Sequence, residues 1–127
     1  MATSNFSWTD NTGASFETEA NATFEEIDGS MSDVLTVEVT SSNIATLTAA
    51  QFRENAVFII DEDTSDPAYA LITITVPNTK RGFFSIVNNT AFSVEVEISG
   101  QSKTAPSIVT ATTATLVTDG TDIMEGT

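Results

Sequence analysis

From Phe92 to Ser99 apolar and polar side chains alternate without a break, Phe92, Val94, Val96 and Ile98 against Ser93, Glu95, Glu97 and Ser99. A strand sends successive side chains to opposite faces, so this pattern gives a strand one dry and one wet face, whereas on a helix it scatters apolar residues around the circumference. The same period recurs at Leu35, Val37 and Val39 against Thr36, Glu38 and Thr40, and at Ala70, Ile72, Ile74 and Val76 against Leu71, Thr73 and Thr75. Half-buried strands at three separate places argue against a helical bundle and for apolar sheet faces packed on each other.

Composition agrees. The chain holds 22 Thr and 13 Ser among 127 residues, and β-branched Thr suits the wet face of a pleated sheet. With 40% hydrophobic residues there is material for one two-layer core and no room for a second, catalytic domain. Eighteen acidic residues against four basic ones leave a net charge of -14, which repels phosphate backbones and anionic lipid heads, so neither nucleic acid nor a membrane is an expected partner. Cysteine and histidine are both absent, which removes disulfide staples, thiolate nucleophiles, Ser-His-Asp machinery and zinc sites built on nitrogen or sulfur. The start, Met-Ala-Thr-Ser-Asn-Phe, has no basic segment and no apolar run, so the expectation is a soluble chain without a secretion signal.

Two regions are expected: residues 1–30 as an N-terminal arm or first strands, and residues 31–127 as a β-sandwich domain. The first is acidic and punctuated by Phe6, Trp8, Phe16 and Phe24. These aromatics read either as anchors that enter pockets on a neighbouring subunit or as inward residues of the first strands. Beyond Asp28-Gly29, Thr48 to Gln51 has the spacing of a capping box and predicts one or two helical turns ending near Asn55. Ala56 to Ile60 is continuously apolar, as in a strand covered on both faces. Pro77-Asn78 closes one strand, and the strands on either side of Asn88-Asn89 are expected to pair as a hairpin. Asp119-Gly120 is the strongest hairpin signal, returning into Ile123 and Met124. The fold expected is all-β, a β-sandwich or flattened barrel of about eight antiparallel strands, jelly-roll-like, with one short helix and an extended N-terminal arm.

Few residues offer chemistry. Asp61, Asp63 and Asp66 are hard oxygen ligands of the kind calcium takes, but the sixth position from Asp61 is Asp66 where an EF-hand needs Gly, and the twelfth is Ile72 where it needs Glu. They stand as a weak metal candidate beside the plainer reading of a solvated loop, and Asp119 with Asp122 reads in the same way as turn chemistry. No carboxylate pair stands out as a glycosidase couple. Asn5, Asn21 and Asn88 match the glycosylation acceptor pattern, which carries weight only in a secreted eukaryotic chain. Trp8 and Tyr69 offer platforms for a sugar ring or, more plainly, packing residues. Lys80-Arg81 sits where a turn enters a strand, a normal place for an exposed pair, and could also meet an acidic patch on a neighbouring copy.

The segments Leu47–Asn55 (LTAAQFREN), Ile72–Pro77 (ITITVP), Lys80–Thr90 (KRGFFSIVNNT) and Thr115–Asp122 (TLVTDGTD) together resemble a β-rich module of virion structural proteins of tailed bacteriophages. The shared order is a strand ending in Pro, a basic turn, a strand reaching an Asn-rich turn, an alternating strand and a terminal Asp-Gly-Thr hairpin. The resemblance implies a particle component, either a head decoration (cement) protein or a tail or fibre module, and it implies no catalytic residue and no cofactor. Packaged DNA fills the inside of a head, so so acidic a protein belongs on the outer surface. The expectation is therefore a non-enzymatic capsid decoration protein on the outside of the virion, present in the host cytoplasm during assembly. It would bridge shell subunits through the major capsid protein or another virion protein and form a homo-oligomer, with a trimer among the arrangements expected. The candidate partner-binding residues are Phe6, Trp8, Phe16, Phe24, Lys80 and Arg81. The alternative is a tail, fibre or carbohydrate-binding module that recognises a host-surface glycan through Trp8, Tyr69 or the Asp61 to Asp66 loop.

Overall fold

A computed structural model describes residues 33–126, which form two packed mixed sheets and one small helix. In chain order the elements are β1 (Val34–Val39), β2 (Ile44–Thr46), α1 (Ala49–Glu54), β3 (Val57–Glu62), β4 (Ile72–Val76), β5 (Lys80–Asn88), β6 (Val94–Ile98), β7 (Ser107–Ile108), β8 (Thr113–Asp119) and β9 (Ile123–Glu125). The five-stranded sheet has the order β1-β3-β5-β8-β9 and the four-stranded sheet β2-β4-β6-β7. The all-β sandwich expected from the alternation is what forms. The arm at residues 1–30 lies outside the described residues.

The strand directions differ from the antiparallel, jelly-roll-like expectation. β1, β3 and β5 run parallel, as do β2, β4 and β6, and only β7, β8 and β9 close the sheets antiparallel. Parallel neighbours need a crossover between them, and here each sheet supplies it for the other: the chain passes from one layer to the opposite layer and back through six consecutive strands. The hairpin expected across Asn88-Asn89 is therefore absent. β5 belongs to the five-stranded sheet and β6 to the four-stranded one, with Val94 beside Ile72 rather than beside β5. The physical reason lies in Asn88. Its amide nitrogen donates to the Phe92 and Ile108 carbonyls at 2.7 and 2.9 Å, and its oxygen accepts from the Thr90 amide and hydroxyl at 3.0 and 2.7 Å. These bonds hold an arch between layers in place of a turn within one.

Inward positions follow the period of two. Val39, Phe58, Ile60, Ile72, Ile74, Val76, Phe84, Ile86, Val94, Val96, Leu116 and Ile123 meet in one core between the sheets. The continuous run at residues 56–60 resolves into an alternation, with Phe58 and Ile60 fully buried and Val57 and Ile59 only partly covered on the outside. β2 is a strand that the break at Ser41-Ser42-Asn43 concealed; the chain turns there with Asn43 in the left-handed region at φ 62. The capping box forms as expected, Gln51 N to Thr48 Oγ1 at 3.1 Å and Thr48 N to Gln51 Oε1 at 3.0 Å. It starts a helix whose purpose is to deliver Phe52 to the core. The Asp119-Gly120 hairpin also forms, joining β8 to β9, with Gly120 at φ 94.

Candidate functional site

The wet sides of the two sheets differ in chemistry. On the four-stranded sheet the outward positions are Ile44 and Thr46 on β2, Thr73 and Thr75 on β4, Glu95 and Glu97 on β6, and Ser107 on β7. On the five-stranded sheet the outward row Val34, Val57, Ser85 and Thr115 runs straight across four strands, and the next row is Thr36, Ile59, Val87 and Thr113. Val117 and Met124 continue this face onto β9. Its exposed apolar members are Val34 and Phe83, 55% and 67% exposed. Val57, Ile59, Val87, Val117 and Met124 on the same face are partly covered.

Arg81 owes its position to a β-bulge. Arg81 pairs with Thr118 and Phe84 with Leu116, so Gly82 and Phe83 together face one residue, Val117. The extra residue shifts the alternation by one. Phe83, next to the inward Phe84, stays outward, where its ring lies against Gly126, while Arg81 turns inward. The Arg81 guanidinium then sits 5.3, 6.0 and 5.7 Å from the ring centroids of Phe52, Phe58 and Phe84 and donates to the Phe52 carbonyl. Loss of water around it lowers its pKa from the usual arginine value. The three rings themselves are 5.0 to 6.1 Å apart, two of the pairs edge to face. The exposed Lys80-Arg81 pair expected from the sequence is thus split: Lys80 faces solvent and Arg81 is half-buried over the aromatic stack.

The acidic loop does not gather a metal site. Asp61 and Glu62 belong to β3, and Asp61 Oδ1 accepts from the Glu62 amide at 2.9 Å. Asp63 Oδ1 accepts from the Ser65 hydroxyl and amide, both at 2.8 Å, and from the Asp66 amide at 3.1 Å, which folds the loop on itself. Among the described residues no three acidic side chains come together as a cation site. Asp122, read as turn chemistry, is a buried strut: its carboxylate accepts from the amides of Ser102 and Lys103 at 2.8 and 2.9 Å and ties the loop after β6 to the last hairpin. Asp119 Oδ1 accepts from the Thr121 and Asp122 amides at 2.8 and 2.9 Å within that hairpin. Asn88 is buried and its carboxamide fully engaged, so the acceptor nitrogen of that triplet is not on the surface.

Tyr69, Leu71 and Ile44 are exposed, Tyr69 by 70%, and the Tyr69 amide donates to Asn43 Oδ1 at 3.0 Å. Phe6, Trp8, Phe16, Phe24, Asn5 and Asn21 lie outside the described residues. Sequence reasoning missed Phe83, the inward turn of Arg81 and the outward Val34, Val57, Ile59 and Val87; the signal for Arg81 was Gly82, because Gly inside a strand marks a bulge. Among the described residues no helix is long and apolar enough to cross a membrane. Compared with protein families, curated proteins and solved structures, the chain matches none.

Proposed function

We propose that this chain is a non-enzymatic structural component of a tailed-phage particle that works by binding other protein subunits. The observation that carries this reading is the outer face of the five-stranded sheet, where Val34, Val57, Ile59, Val87, Phe83, Val117 and Met124 stand on the solvent side. Beside it runs β1, whose second edge has no partner strand among the described residues. Unpaired edges and apolar sheet faces are what assembly modules use to add strands and layers from a neighbour. The sequence resemblance supports the virion setting, and the charge of -14 supports the outside of a head, as a decoration protein bridging shell subunits, over any position against packaged DNA. A second placement, in a tail or fibre, draws on the exposed Tyr69, an aromatic ring of the kind that stacks on a sugar. Quantitative mass spectrometry of purified particles tests both. A copy number comparable to that of the major shell protein is expected for decoration, a far lower one identifies the tail or fibre placement, and absence from the particle overturns the reading.

A further inference from the structure

The two ends of the sandwich are closed to different degrees. At one end β7 and β9 are strands of two and three residues, and Gln101 Oε1 accepts from the amides of Ile98 at 3.0 Å and Ile123 at 3.2 Å, which ties one sheet to the other. At the opposite end β1 runs six residues with no strand on its second side among the described residues. Its inward Leu35 and Val37, with Ala45 on β2, pack against the core yet are only partly covered, whereas the inward Phe58, Ile60, Ile72, Ile74, Val94 and Val96 are buried. The carbonyls of Asp33 and Val39 accept from the Val57 and Asp63 amides at 3.2 and 3.0 Å. Odd-numbered residues of β1 thus turn their backbone groups to β3, and Val34, Thr36 and Glu38 turn theirs to the open side, where an unpaired edge is a template for another strand.

We propose that residues 14–25 of the same chain supply that strand, folding back on β1 as an antiparallel hairpin through a two-residue Asp28-Gly29 turn. They lie outside the described residues, and their sequence meets the two conditions that the edge sets. Asp-Gly is a dipeptide that suits a two-residue hairpin turn, and a turn there pairs Thr23 with Val34, Ala22 with Leu35, Asn21 with Thr36, Ala20 with Val37 and Glu19 with Glu38. Such a turn closes on a hydrogen-bonded pair, Ile27 with Ser30, so the bonded pairs that follow fall at Val34, Thr36 and Glu38, the residues whose backbone groups face the open side. The same register sets Ala14, Phe16, Thr18, Ala20, Ala22 and Phe24 on the face of Leu35 and Val37, and leaves Glu17, Glu19 and Glu25 on the wet face. A slip of one residue would turn those carboxylates into the core. A tethered strand has a local concentration on the order of millimolar, so it takes the edge ahead of a second copy at micromolar concentration. This inference goes beyond the assembly reading and does not rest on it: the added strand moves the free edge outward by one strand and leaves the outer face of the sheet as it is.

The chain has no cysteine, so a pair of introduced thiols reports on the register in the full-length protein. Ala20 and Val37 would form a non-hydrogen-bonded pair, with Cα atoms about 4.5 Å apart, a distance that a disulfide spans. With oxidised glutathione, Ala20→Cys combined with Val37→Cys is expected to close an intramolecular disulfide about tenfold faster than Asn21→Cys combined with Val37→Cys. Equal rates overturn the register, and disulfide-linked dimers as the main product at micromolar concentration overturn the pairing within one chain. Hydrogen exchange tests the unaltered protein: the amides of Val34, Thr36 and Glu38 should exchange about a hundredfold more slowly than free amides, and exchange at the free rate overturns the hairpin. Glu19 faces Glu38, a like-charge pair across strands, so Glu19→Lys should slow that exchange by about a further threefold, and Glu25→Lys, opposite Ser32, should not. Equal effects of the two substitutions overturn the register. A chain whose β1 edge proves open and which is nonetheless found in purified particles would remove this hairpin and leave the assembly reading standing.

Discussion

Asn88 does at one position what its surroundings cannot do with backbone alone. A strand that leaves its sheet for the opposite layer strands carbonyls and amides in a dry interior, and an unsatisfied buried group costs about 1–3 kcal/mol. One carboxamide serves the Phe92 and Ile108 carbonyls and the Thr90 amide together. Asn88→Ala should therefore destabilise the domain by about 2–4 kcal/mol in urea unfolding. Arg81 is the second such position. Its contacts with three rings and with the Phe52 carbonyl hold the helix against β3 and β5. Arg81→Ala should cost about 2 kcal/mol by the same measurement, and Arg81→Lys should recover only part of it, because an ammonium lacks the planar surface that stacks on aromatic faces. Neither role is legible from residue type. Asn-Asn after a strand reads as a turn, and Arg81 counted back from Phe84 falls on the wet face until the bulge shifts the count.

The elements divide according to whether their cause is local. The helix start at Thr48 and the hairpin at Asp119-Gly120 depend on side chains bonding to backbone within three residues, and both are where the sequence places them. The acidic turn after β3 and the β8–β9 hairpin share a device, a carboxylate that accepts from nearby donors and is held below the usual aspartate pKa by them. For Asp63 the leading cause is the Ser65 hydroxyl, followed by the Ser65 and Asp66 amides; for Asp119 it is the Asp122 amide, followed by that of Thr121. A folded pKa below the unfolded one means stabilisation that is complete above the ordinary aspartate value of about 3.9 and is lost as pH falls through the lowered values. Thermal stability should thus decline on the acid side, and Asp63→Asn with Asp119→Asn should flatten that decline in melting curves taken from pH 6 down to pH 2. β2 escaped the sequence reading because three residues are too few to show a period, and the β5–β6 hairpin was misread because alternation names the face a residue takes and says nothing of which strand lies beside it.

At the scale of the molecule, eighteen carboxylates meet four bases, and self-repulsion disfavours the compact state. Raising sodium chloride from about 10 mM to about 0.5 M shortens the screening length from about 30 Å to a few Å and should add about 1 kcal/mol of stability, a rise of several degrees in the melting temperature. A fall in melting temperature over that range would show that local ion pairing outweighs the net charge. The sequence by itself determined the all-β class, the inward residues of β1, β4 and β6, the capped helix and the closing hairpin. Each of these depends on neighbours within a few positions, where sterics and hydrogen bonding act directly. Tertiary structure alone decided that consecutive strands cross between layers, that parallel neighbours lie side by side, that Arg81 turns inward and that Val34 and Phe83 stay outside. Those outcomes depend on which distant segment each strand meets. Many pairings bury the same alternating residues equally well, and only the packed whole selects among them.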